Sequence, residues 1–91
     1  MIAARQVFYE GRVQGVGFRY TVKTIATGFE VVGSVKNLPD GRVELQAGGE
    51  SDEVHAFLEA IANSELGGLI RKSEVHEIQP LENSRSFRIA F

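Results

Sequence analysis

Residues 5–29, RQVFYEGRVQGVGFRYTVKTIATGF, change their hydrophobic period partway along. Up to Val13 the period is two. Val7, Tyr9, Gly11 and Val13 share one face, with Gln6, Glu10 and Arg12 on the other, which predicts a strand over residues 5–13. From Phe18 the period is helical. Phe18, Val22, Ile25, Ala26 and Phe29 recur on one stripe, which predicts a helix over residues 18–29 with Gly28 near its end. Between the two lies a glycine-rich loop. The stretch is therefore strand–loop–helix, and the rest of the chain decides which sheet it joins.

Residues 31–37, VVGSVKN, read as the next strand, and Pro39-Asp40-Gly41 is a strong turn signal. Val43, Leu45 and Ala47 alternate after it, so the pair forms a hairpin, which Gly48-Gly49 is expected to end. Ser51 is placed to cap a second helix, with Asp52 and Glu53 in its first turn and Val54, Phe57, Leu58, Ile61 and Ala62 on its buried face. Residues 64–68 read as a loop. A strand over 71–79 follows, weakly patterned through Val75 and Ile78 and ended by Pro80. Phe87, Ile89 and Phe91 alternate in a last strand. The order is βαββαβ plus a C-terminal strand. Its economical solution is an α+β, ferredoxin-like two-layer sandwich: a mostly antiparallel sheet with two helices on one face.

The 91 residues suffice for a single domain, 1–91. The absence of cysteine removes disulfides, thiolate nucleophiles and cysteine-ligated zinc, and a cytoplasmic location is the natural expectation. No apolar run has signal-peptide or membrane-span length, so no membrane role is expected. The net charge of −2 argues against a nucleic-acid partner. An RNA-binding domain of this fold would need a basic surface and exposed aromatics on its open sheet face. The charge is uneven, however. Arg12, Arg19, Lys23, Lys36 and Arg42 fall in the first half and most acids fall later, a balance that suits a small anionic ligand. A monomer is expected, since nothing specific in the sequence demands pairing.

The loop Gln14-Gly15-Val16-Gly17-Phe18 has the composition of an anion cradle. Glycines let successive N–H groups converge, the helix start adds its own unpaired N–H groups and dipole, and Arg19 can grip the anion with its planar fork. The same glycines would also serve a tight strand-to-helix turn beside a solvated arginine, which for a generic loop is the commoner case. Tyr20 stands where a GxGxxG fingerprint needs glycine, and no GK[ST] is present. Asn37 falls at the end of its strand on the helix-covered face. There it can orient a water, or simply support the turn. His55 and His76 show no metal-ligand spacing and read as surface residues, so no metal site is expected.

GRVQGVGFR (residues 11–19) followed by GSVKNLPDGRVELQAGG (residues 33–49) resembles the acylphosphatase family. The resemblance implies a ferredoxin-like enzyme that needs no cofactor. It would hydrolyse small-molecule acyl phosphates to a carboxylate and inorganic phosphate, the phosphate being product and inhibitor. It places the family's phosphate-binding arginine on Arg19, its water-orienting asparagine on Asn37, and its phosphate loop on the amides of Gln14, Gly15, Val16, Gly17 and Phe18. The implied reaction is metal-independent, in-line attack of water on phosphorus. The chain departs from the family's usual pattern at Gly17, at Ser34, at Phe29-Glu30-Val31, and in EVHEIQPL, which lacks the usual late aromatic. The alternative is a non-catalytic phosphate- or acyl-phosphate-binding module. A similar domain begins a larger carbamoyltransferase of hydrogenase maturation, and a free-standing chain is expected to be the hydrolase instead.

Overall fold

The computed structural model describes residues 1–91. β1 (Ile2–Gly11) is an interior strand, hydrogen-bonded antiparallel to β3 (Val43–Glu50) on one side and to β4 (Ile70–Glu77) on the other. β2 (Val31–Asn37) pairs antiparallel with β3, and β5 (Phe87–Ile89) pairs parallel with β2. The sheet order is β4-β1-β3-β2-β5. α1 (Phe18–Ala26) follows β1, and α2 (Ser51–Ala62) follows β3. The expected ferredoxin-like sandwich is the observed architecture.

The core is the layer between sheet and helices. Val7, Tyr9, Val35, Leu45 and Ala47 from the strands meet Phe18, Val22, Val54, Phe57 and Ile61 from the helices. The other face of the sheet is polar: Gln6 donates to Glu44 at 2.6 Å, and Lys36 pairs with Glu44 at 3.6 Å across the β2–β3 register. β2 and the first part of β3 are therefore half-buried with period two, as is β1 from Val7 to Tyr9, which is why alternation was legible there, whereas β4 is exposed along almost its whole length and its pattern is correspondingly weak.

Several element boundaries differ from expectation. β1 begins at Ile2, because Ile2, Ala3 and Ala4 pair with Glu50, Gly49 and Gly48 although their side chains carry little pattern. It ends at Gly11 rather than Val13, where its register with β4 shifts. β3 runs through Gly48-Gly49 instead of stopping there. It is the central strand, so its backbone is held from both sides, and Leu81 packs over Gly48. The helix follows β3 directly. Glu50 takes the capping position without a side-chain cap bond, and Ser51 is already helical, donating its N–H to the Met1 carbonyl at 2.8 Å. α1 stops at Ala26, and Gly28 and Phe29 continue with tighter i→i−3 bonds that still seat Phe29 on the core. The 64–68 loop is a 3-10 turn, Glu65–Leu69, capped by Ser64. β4 covers residues 70–77 rather than 71–79 and β5 residues 87–89 rather than 87–91. Ala62 is exposed and Leu58 only half-buried.

Tyr9 is 4% exposed and lies 5.4 Å, centroid to centroid, from Phe18 at the start of α1. Burial raises its phenol pKa above the ordinary 10.0, because the phenolate would lose its hydration. The folded protein thus keeps this proton to higher pH than the unfolded chain does. Its stabilising contribution is complete below about pH 10 and is lost as pH rises above that. Tyr9→Phe is expected to flatten the alkaline fall in stability. Urea titrations at about pH 7 and about pH 11 check it. An equal alkaline fall in the variant would remove Tyr9 as its cause.

Candidate active site

The β1–α1 loop owes its shape to two glycines. Gly15 has φ of 75° and Gly17 has φ of 78°, while no non-glycine residue has positive φ, so Val16 between them lies on the ordinary side. Alternation of this kind is what allows successive N–H groups to converge on one concave side. Gly17 is also the residue preceding the first turn of α1, and no side chain caps that helix. The Arg12 N–H goes to the Leu69 carbonyl at 2.9 Å and the Thr21 N–H to Gly17 at 3.0 Å, but no amide from Gln14 to Tyr20 donates to a protein acceptor. A run of N–H groups without protein acceptors at the positive end of a helix has the donors that binding an anion requires.

Open space surrounds both glycines, so a side chain there would meet no neighbour and the penalty of substitution is conformational alone. Gly17→Ala is expected to lower stability by about 1 kcal/mol, which for a domain of this size moves Tm by roughly 4–8 °C. Val16→Ala, at a residue 42% exposed, is the matched control and should shift stability by less than about 0.5 kcal/mol. Thermal melts of the two variants decide it.

Arg19 projects from the first turn of α1. Its guanidinium lies 5.1 Å from the Phe91 ring centroid, and none of the ion pairs includes it. Two of the five cations noted in the first half are neutralised, Lys36 by Glu44 and Arg42 by Asp40 at 2.7 Å. Of those five, Arg12, Arg19 and Lys23 are left without an ion pair. Asn37 is the last residue of β2, opposite Val43. Its Oδ1 is buried and has no hydrogen-bond partner. A buried acceptor left open costs about 1–3 kcal/mol, a cost that a bound donor would remove.

Eighteen positions separate Arg19 from Asn37 in the chain, yet they line one small cavity with Gly15, Gly17, Phe18 and Tyr20. Its volume is about 110 Å³, a few times the ~30 Å³ share of a liquid water. Gln14 and Val16 do not line it. Val16 faces outward, and Gln14 turns its carboxamide toward the hairpin turn, donating to the Leu38 and Arg42 carbonyls at 2.8 Å each. Tyr20 was missed as a lining residue. Its only signal in the sequence is its place beside Arg19 at the helix start.

A larger cleft of about 430 Å³ lies between α2 and strands β1 and β4, lined by Val7, Tyr9, Leu58, Val75 and Arg5 among others. Its lining is mainly apolar, and its donors Arg5, Ser51, His55 and Ser73 share it with the Glu59 carboxylate, which opposes an anion. Chemistry on an anion follows donors, so the smaller cavity is the candidate site. The histidines stand apart on the surface, His55 against Glu59 at 2.8 Å and His76 against Glu74 at 2.6 Å.

Fold and cavity together define a class: a small ferredoxin-like sandwich with an anion-sized pocket at its first strand-to-helix loop. The acylphosphatase family model matches residues 5–89, and the chain belongs to that family. It is 40% identical over 88 residues to an acylphosphatase of Archaeoglobus fulgidus, an alignment covering 97% of this chain and 98% of that one. Its fold is similar to the crystal structure of acylphosphatase from Bacillus subtilis, with a TM-score of 0.88, 37% identity and both chains covered completely. It is also similar to part of full-length HypF, with a TM-score of 0.85 and 29% identity, spanning 12% of that chain.

Proposed function

We propose that the protein hydrolyses small-molecule acyl phosphates to a carboxylate and inorganic phosphate, and that Arg19 and Asn37 carry the reaction. The observation behind this reading is the meeting of an uncompensated guanidinium, a run of unpaired amides and an unpartnered Asn37 Oδ1 around one small cavity. Family membership and the acylphosphatases it resembles supply the substrate class. The N–H groups of the 14–18 loop and the fork of Arg19 hold the phosphoryl oxygens and stabilise charge in the transition state. Asn37 accepts a hydrogen bond from the attacking water through Oδ1 and sets its line of approach to phosphorus. The carboxylate leaves readily. A loose transition state asks little of the nucleophile, so a strong general base is not required.

In this reading Arg19 and the amides supply the positive charge that a metal supplies elsewhere, so catalysis is metal-independent. Inorganic phosphate, the product, competes for the same cradle and inhibits. The protein works as a cytoplasmic monomer, without nucleic acid or membrane. No helix is long and apolar enough to cross a membrane. Phosphate release from benzoyl phosphate in excess chelator tests the proposal. Chelator-resistant turnover supports it. A folded protein that binds phosphate but gives no turnover above background would leave the binding-module alternative standing instead.

A further inference from the structure

The Gln14 side chain spans two loops. Its Nε2 donates one hydrogen to the Leu38 carbonyl and the other to the Arg42 carbonyl, at 2.8 Å each. Both partners are acceptors, so only the NH₂ end of the carboxamide can face them and its orientation is settled by chemistry. The two carbonyls are at special places. Leu38 follows Asn37 at the end of β2, and Arg42 precedes Val43, the cross-strand partner of Asn37. The same carbonyls also close the turn, accepting from Gly41 N–H at 3.1 Å and Leu38 N–H at 2.8 Å respectively. Asp40 braces it further, accepting from the Arg42 N–H at 3.1 Å and Nε at 2.7 Å. One side chain of the glycine loop thus grips both stems of the hairpin turn one residue beyond Asn37.

We infer that Gln14 is a positioning residue for the reaction: through its side chain, it sets Asn37 relative to the anion cradle. This rests on the functional reading above. The loop carries the phosphoryl group and β2 carries the water-orienting amide, and nothing else in the hydrogen-bond network joins the loop to the turn through a side chain. In-line attack is sensitive to placement, and an error near 1 Å costs on the order of 100-fold in rate. Loss of the clamp should therefore appear in kcat, while the cradle's grip on phosphate persists.

Gln14→Met keeps the length of the side chain and removes both donors. Gln14→Glu keeps the shape and turns an acceptor toward two carbonyls. Wild type, both variants and Arg19→Ala are compared by kcat on benzoyl phosphate and by the inhibition constant of inorganic phosphate, with circular dichroism to monitor folding. Both Gln14 variants are expected to lose roughly 10–100-fold in kcat, with phosphate inhibition changed less than about 3-fold. The Gln14→Glu deficit relative to wild type should shrink as pH falls from about 7 to about 5, because the introduced carboxyl regains one donor on protonation. A purely structural role would not produce that pH profile. An active wild type with Gln14 variants of unchanged kcat overturns the inference alone, and so does a loss confined to phosphate affinity. A wild type that releases no phosphate overturns the functional reading and this inference with it.

Discussion

Arg19→Ala is expected to reduce turnover of an acyl phosphate by on the order of 10³–10⁵-fold and to weaken inhibition by inorganic phosphate at the same time. Arg19 is the sole charged side chain lining the cavity, and it has no carboxylate partner to dilute its field. Both ground-state binding and transition-state charge therefore depend on it. Arg19→Lys should recover only a small part, because an ammonium lacks the planar fork that matches phosphoryl oxygens. Stability should move the other way. A cation in the first turn of a helix opposes the dipole, and α1 has no acidic residue there to offset it. Its one noted contact is with Phe91, which is 96% exposed. Arg19→Ala should thus melt at or slightly above the wild-type temperature. A variant that is inactive because it is unfolded would fail this expectation, and so would one that keeps turnover within about 10-fold.

Asn37→Ala is expected to separate binding from chemistry. Turnover should fall on the order of 10²–10⁴-fold, while the inhibition constant for phosphate stays within about 3-fold, since the amide run and Arg19 remain in place. Removing the unpartnered Oδ1 also removes a buried acceptor that costs about 1–3 kcal/mol when left open. The variant should therefore be no less stable than wild type. Asn37→Asp should be as impaired in turnover and should also bind phosphate more weakly, because a carboxylate would face the anion. Steady-state kinetics with phosphate as inhibitor, beside thermal melts, checks all three statements. Turnover of Asn37→Ala within 3-fold of wild type would exclude Asn37 from the chemistry. Stable, inactive variants at both positions would mark residues placed for function at some cost to the fold.

The segment Val7–Ala26 was legible because its physics is local. Alternation is a property of neighbours along a strand, a helical stripe spans a few turns, and the glycines of the loop announce backbone freedom by composition. Val7, Tyr9, Phe18 and Val22 are all buried as that pattern required. Glycines at 48 and 49 misled for the converse reason. By local propensity they end a strand, but pairing of β3 with both β1 and β2 holds the backbone where the side chains do not. Ser51 lost its expected capping position to the same pairing, which carries the strand to the edge of the helix.

The amino-acid sequence by itself determined the strand–loop–helix, the hairpin, the fold class and the candidacy of Arg19 and Asn37. Only the tertiary structure decided that those two residues line one cavity with Tyr20, that the amides of residues 14–20 have no protein acceptor, and that Gln14 spends its side chain on the hairpin turn. Each of these depends on where the end of β2 lies relative to the end of β1. That distance is set by the register of both strands on β3, an interaction between residues far apart in the chain that no local period encodes.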